Sequence, residues 1–68
     1  MPNFSERLRT ERERLELSQQ GLAEKCGVTA RSQRNYESGE RNPDSVYLAA
    51  IAAAGADVLY ILTGQRTE

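Results

Sequence analysis

The sequence predicts an all-α fold, a compact bundle of five short helices. Three observations carry that prediction. Capping residues and Gly or Pro breaks recur at short intervals, and no segment between them alternates apolar and polar residues as a strand does. The chain has 68 residues, which suffices for one domain with one small core. It has one cysteine and no histidine, so neither an internal disulfide nor a zinc site can staple that core. Close helix packing, aided by self-association, is what remains.

The first helix is expected from about Phe4 to Glu16. Asn3 and Glu6 have the spacing of a capping box, with Ser5 as a competing start. Leu8 and Leu15 mark its inner stripe, and "RTERERLE" reads as a solvated charged face with i,i+4 pairs. The second helix opens at the N-cap Ser18 and runs through "QQGLAEKC" to a left-handed stop at Gly27. The third opens at Thr29 and stops at Gly39. So tight a connection, with Gly in the turn, is the signature of a helix-turn-helix.

"ERNPD" is the next break. Pro43 disfavours helical geometry at Asn42 and suits the first turn of a fourth helix, "SVYLAAIAAA", which ends at Gly55. Its alanines permit close approach. The fifth helix starts at the cap Asp57 and continues "VLYILT" to Gly64, with Tyr60, Ile61 and Leu62 covering the core. "QRTE" follows as a polar tail. Leu8, Leu15 and Leu22 fall seven apart, but the helix start at Ser18 interrupts them, so they make no leucine zipper. Cys26 reads as a small buried hydrophobe, and Tyr36, Tyr47 and Tyr60 as core or core-edge residues.

The charge pattern narrows the function. The net charge is −1, so this is no globally basic nucleic-acid coat. Yet eight of the nine basic residues lie between Arg7 and Arg41, and Thr29 to Tyr36 holds two arginines and no acid. On a helix, Arg31, Arg34, Asn35 and Ser38 share one face, while Thr29, Gln33 and Tyr36 turn towards the core. Arg can donate two parallel bonds to guanine O6 and N7, and Asn can pair with adenine N6 and N7. A helix this polar makes sense if its partner is double-stranded DNA.

"LSQQGLAEKCGVTARSQRNYESGERNPD" resembles the lambda-repressor/Cro-like (XRE) helix-turn-helix family, and "VLYILTG" resembles that family's usual ending. The resemblance spans about Ser5 to Gly64. It implies a five-helix lambda-repressor-like bundle with an ordered core of about 4–64 in a single DNA-binding domain over 1–68. It also implies roles. Ala30, Arg31, Arg34 and Asn35 match base-reading positions, with Ala30 limited to apolar contact. Gln19 matches a phosphate-gripping glutamine. Arg41 and Asn42 match a backbone-binding loop, and Ser18 and Ser32 would add phosphate contacts. Arg12 and Glu37 match a structural ion pair. Family members commonly bind near-palindromes as two-fold dimers, so a weak homodimer is expected through Ala54, Ala56, Val58 and Leu59.

There are departures. Gln33 stands where the family has Ile or Val. Either its stem packs and its amide finds an internal partner, or it reaches a phosphate. Gly21 replaces a better helix former, which costs roughly 1 kcal/mol against Ala, and would allow close approach of DNA or another helix. Leu59 occupies a commonly polar position.

The expected function is that of a DNA-binding transcriptional regulator, a repressor, reading the major groove with the third helix. An interaction module, adaptor or antitoxin-like, is the alternative. An enzyme is not expected: there is no histidine, no nucleophile with a base and no phosphate loop. No cofactor, metal or small-molecule ligand is implied. Without a signal-peptide or membrane-spanning run, and with a lone cysteine, a cytoplasmic location is expected.

Overall fold

The computed structural model describes residues 3–66. Five helices follow in order: α1 Phe4–Arg14, α2 Gln19–Cys26, α3 Ala30–Ser38, α4 Ser45–Ala53 and α5 Val58–Thr63. Each starts at a side-chain cap. Asn3, Ser18, Thr29, Asp44 and Asp57 accept from the backbone N–H three residues on, satisfying a donor that the helix itself leaves open. Asn3 is thus the first cap, while Ser5 is buried and donates to the Asn3 side chain. Pro43 falls outside α4, because Asp44 takes the cap.

The core gathers Leu8, Leu22, Tyr36, Tyr47, Ile51, Ala56 and Ile61. Tyr36 of α3 and Tyr47 of α4 stack at a tilt of 32°, with ring centroids 4.2 Å apart. Helix α3 lies against α1 and α2, and α5 against α1 and α4. The side of α3 away from these neighbours is left outward. Cys26 is half-buried at the core edge, and burial raises the pKa of its thiol. Among the described residues, no helix is long and apolar enough to cross a membrane.

Several expectations change. Thr29 is exposed, since its side chain caps α3 rather than joining the core. Leu62 is 49% exposed; only Ile61 of α5 is fully buried, with Tyr60 half-buried beside it. Around Gly21, an added Cβ would meet Ser18 Oγ at 3.2 Å and Leu17 next, so no other helix approaches there. The "solvated" face of α1 is not solvated throughout, because Glu11 is fully buried. The polar tail is anchored at Arg66. The Arg66 guanidinium bonds to Glu11 and lies 3.8 Å from the centroid of the Tyr60 ring. Thr67 and Glu68 fall outside the described residues.

Helix α1 also stops two residues early. Leu17 N–H donates to Arg12 C=O and Glu16 N–H to Glu13 C=O, which is a Schellman closure. The closure puts Glu16 in the left-handed region, at φ 59°, where a Cβ is disfavoured. Glu16 is exposed. Glu16→Gly is therefore expected to raise stability by about 0.5–1 kcal/mol, read as a higher urea midpoint at unchanged slope.

Candidate nucleic-acid interface

Helix α3 presents Arg31 and Arg34 exposed, with Asn35 half-exposed beside them and Ser38 exposed on the same face. Among the described residues, none of the two guanidinium groups or the Asn35 amide is drawn into a hydrogen bond. The Asn35 carbonyl, by contrast, closes the helix end, accepting from Glu40 N–H, Arg41 N–H and Ser38 Oγ. Ala30 is half-buried in the first turn. The four expected base-reading positions therefore lie along one helix, and its three polar ones keep their donors available.

The expected phosphate contacts flank that helix on two sides. Ser18 and Gln19 begin α2, and Ser18 Oγ is already engaged by Gly21 N–H at 2.9 Å. Ser32 accepts from Thr29 Oγ1 at 3.1 Å, so its hydroxyl belongs to the cap region of α3. On the other side, Arg41 and Asn42 are exposed in the α3–α4 loop, with the Arg41 guanidinium 5.5 Å from the Tyr36 ring centroid. Between α1, α2 and α3 lies an open groove of about 490 Å³, lined by Arg9, Arg12, Gln19, Arg34, Glu37 and Ser38. Three of those six are arginines; Arg12 is paired with Glu37 and Arg9 with Glu13, so among the described residues Arg34 is the groove's cation without an ion-pair partner.

A buried polar chain underlies the groove. The Tyr47 hydroxyl donates to Gln33 Oε1 at 2.5 Å, and Gln33 Nε2 donates to Glu37 Oε2 at 2.6 Å. Arg12 Nε donates to the same carboxylate at 2.8 Å, and Arg12 Nη1 to the Leu17 carbonyl at 2.8 Å. Gln19 Nε2 reaches Glu37 Oε1 at 3.3 Å. The Arg12–Glu37 pair is nearly buried, with side chains 13% and 3% exposed. Gln33 is completely buried, and both ends of its amide are used internally. It holds the helices together instead of reaching outward. Burial also pushes the Tyr47 hydroxyl pKa upward, keeping it a neutral donor.

The expected dimer residues divide. Ala56 belongs to the core and faces its own chain's interior. Its short side chain fills the turn before α5, and its N–H donates to the Ile51 carbonyl. Ala54 and Val58 are half-buried and pack on the core. Leu59 is 45% exposed, with Leu62 comparably open on the same short helix.

A second polar hub had no place in the sequence reading. Glu11 accepts from Arg14, Arg66 and the Asp57 N–H, the last at 2.8 Å. It ties α1 to the cap of α5. Burial pushes its pKa up, but the bonds from Arg14, Asp57 N–H and Arg66 outweigh this and bring it down to about 2. The sequence did carry a signal, because Glu11 lies three residues from Leu8 and four from Leu15, on the inner stripe. Nearby, Arg7 Nε donates to the Ile61 carbonyl at 2.9 Å, closing the end of α5. Among the described residues, no group of His, Cys, Asp and Glu could hold a metal ion.

The family model described as "Helix-turn-helix domain" matches residues 3–59. An uncharacterised HTH-type transcriptional regulator of Bacillus subtilis (strain 168), YqaE, is 36% identical over 66 residues, which is 96% of this chain. The chain spans 57% of that relative's length. The crystal structure of the P22 c2 repressor in complex with synthetic operator 9T, in the presence of Tl+, superimposes with a TM-score of 0.85. Its sequence identity is 27%, over 96% of this chain and all of that one. The match covers the capped α2, the Gly27 turn and α3 together, and the chain therefore belongs to the helix-turn-helix domain family, with the five-helix fold of the lambda-type repressors.

Proposed function

We propose that this chain is the DNA-binding domain of a transcriptional repressor, placing α3 in the major groove of a near-palindromic operator as a homodimer. The observation that carries this reading is the outward face of α3. Two exposed guanidinium groups and a half-exposed amide stand there without hydrogen-bond partners among the described residues, flanked by phosphate-suited positions at Gln19 and at Arg41 and Asn42. The resemblance to a repressor bound to its operator supports both the DNA partner and the direction of regulation. Ser18, Ser32 and the loop residues then set the register, while Arg31, Arg34, Asn35 and the Ala30 methyl read sequence.

Selection of bound duplexes from a random pool tests the reading, and an operator with two related half-sites is the expected result. On that operator Arg31→Ala should cost about 1–3 kcal/mol and relax preference at one base pair per half-site. A uniform loss with unchanged base preference would reassign Arg31 to phosphate binding.

One recognition helix reads only a few base pairs, which is too little for a genome. The dimer surface we assign is the exposed edge of α5, with Leu59 and Leu62 at its centre and Ala54 and Val58 behind them. That edge leaves α3 free. The half-sites should lie about one helical turn apart, roughly 34 Å. Leu59→Glu should leave the melting curve nearly unchanged and abolish cooperative filling of the two half-sites in footprinting. Cooperative binding retained by that variant would place the dimer surface elsewhere.

A further inference from the structure

We infer that Glu37 is a positioning residue for DNA binding: its carboxylate aims the Gln19 amide at the phosphate backbone, and Gln33 and Tyr47 fix that carboxylate from the core side. The inference rests on the DNA-binding reading above. A carboxylate can only accept, so the face of the Gln19 amide turned towards Glu37 must be its NH₂. That nitrogen has two hydrogens. One engages Glu37 Oε1 at 3.3 Å, which leaves the other for an incoming phosphate oxygen. Gln19 and Arg34 line the same arginine-rich groove, so an anion drawn there meets the amide already turned.

A negative group beneath a phosphate site would normally repel the ligand. Here Arg12 donates to Glu37 Oε2 at 2.8 Å and offsets that charge. Gln33 donates to the same oxygen, and the Tyr47 hydroxyl holds Gln33 in turn. Oε2 is thus held twice, which fixes the plane of the carboxylate and leaves Oε1 for Gln19. Ala30, at the start of α3, has no polar atom that could do this work. The chain runs Tyr47, Gln33, Glu37, Gln19, from the centre of the core to the groove. It gives the family-atypical Gln33 a task that Ile or Val could not perform.

The test is a double-mutant cycle on a duplex of the selected operator. In the wild-type chain Gln19→Ala should weaken binding about tenfold. In the Glu37→Gln background, binding should already be weaker by a similar factor, and adding Gln19→Ala should cost less than twofold. Equal losses in the two backgrounds would overturn the positioning role. Circular dichroism confirms that each variant is folded at the assay temperature. Should Glu37→Gln fail to fold, ¹⁵N relaxation of the Gln19 side-chain amide in the free wild-type chain decides instead. Restricted motion like that of the backbone is expected, and free rotation would overturn the inference. Wild-type protein that binds no duplex at all would overturn the functional reading itself, whatever the amide does. Normal binding with additive losses would overturn the positioning role alone.

Discussion

Glu37→Ala is expected to lower the melting temperature by about 12 °C or more, whereas Glu40→Ala should move it by a few degrees at most. The two residues are three apart at the same helix end, but their surroundings differ. Glu40 is exposed. Glu37 accepts from Arg12, Gln33 and Gln19, on a side chain only 3% exposed. Removing it leaves the Arg12 guanidinium with the Leu17 carbonyl but without its counter-charge, and the buried Gln33 amide without its acceptor. Breaking a buried pair on one side costs roughly 3–5 kcal/mol. For a domain this small that is much of the total stability, because folded chains hold only about 0.05–0.15 kcal/mol per residue. Thermal melts of the two variants side by side make the check. Similar small shifts would mean that the pair adds nothing beyond its surface equivalent.

This pair was legible in the sequence only through family resemblance, since nothing in the spacing of Arg12 and Glu37 brings α1 to the end of α3. The helices themselves were legible for a local reason. A cap and the backbone N–H that donates to it lie within one turn, so Asn3, Ser18, Thr29 and Asp57 declare their helices without tertiary information. The outward face of α3 followed from periodicity alone. What escaped were residues whose fate is set by contacts distant in sequence. Gln33 had two open readings, and the Tyr47 hydroxyl, fourteen residues away, is what makes the internal one hold. Leu62 was assigned to the core by composition, yet on a six-residue helix only one direction faces inward, and Ile61 takes it. Ala56 was expected at the dimer surface, yet its short side chain lets it sit buried in the turn before α5.

Acid should destabilise this domain through Glu11 more than through any surface glutamate of α1. Its pKa falls from 4.5 to about 2 in the folded chain, through the bonds from Arg14, the Asp57 N–H and Arg66, against an opposing push from burial. Between those two values the unfolded chain binds the proton and the folded chain does not, so stability falls as pH falls. The contribution is complete above about pH 5 and is lost progressively down to about pH 2. Arg14 and Arg66 are roughly half exposed, and solvent screens their pull. With that discount, about 2 kcal/mol is at stake. Urea unfolding at pH 6 and pH 3 should show the wild-type chain losing about that much more than Glu11→Gln, whose amide has no proton to gain in this range. The variant should also be less stable than wild type at pH 6, because a neutral amide weakens the charge-assisted bonds to both arginines. The defect should appear where Glu11 meets α5. Faster amide exchange at Asp57 N–H and along α5, with α2 and α3 unchanged, is the expected pattern. In the proposed dimer the exposed edge of α5 carries Leu59 and Leu62, so on that reading loosening α5 should also weaken cooperative operator binding while single half-site binding persists. Parallel acid sensitivity in wild type and Glu11→Gln would show that another carboxylate carries the transition.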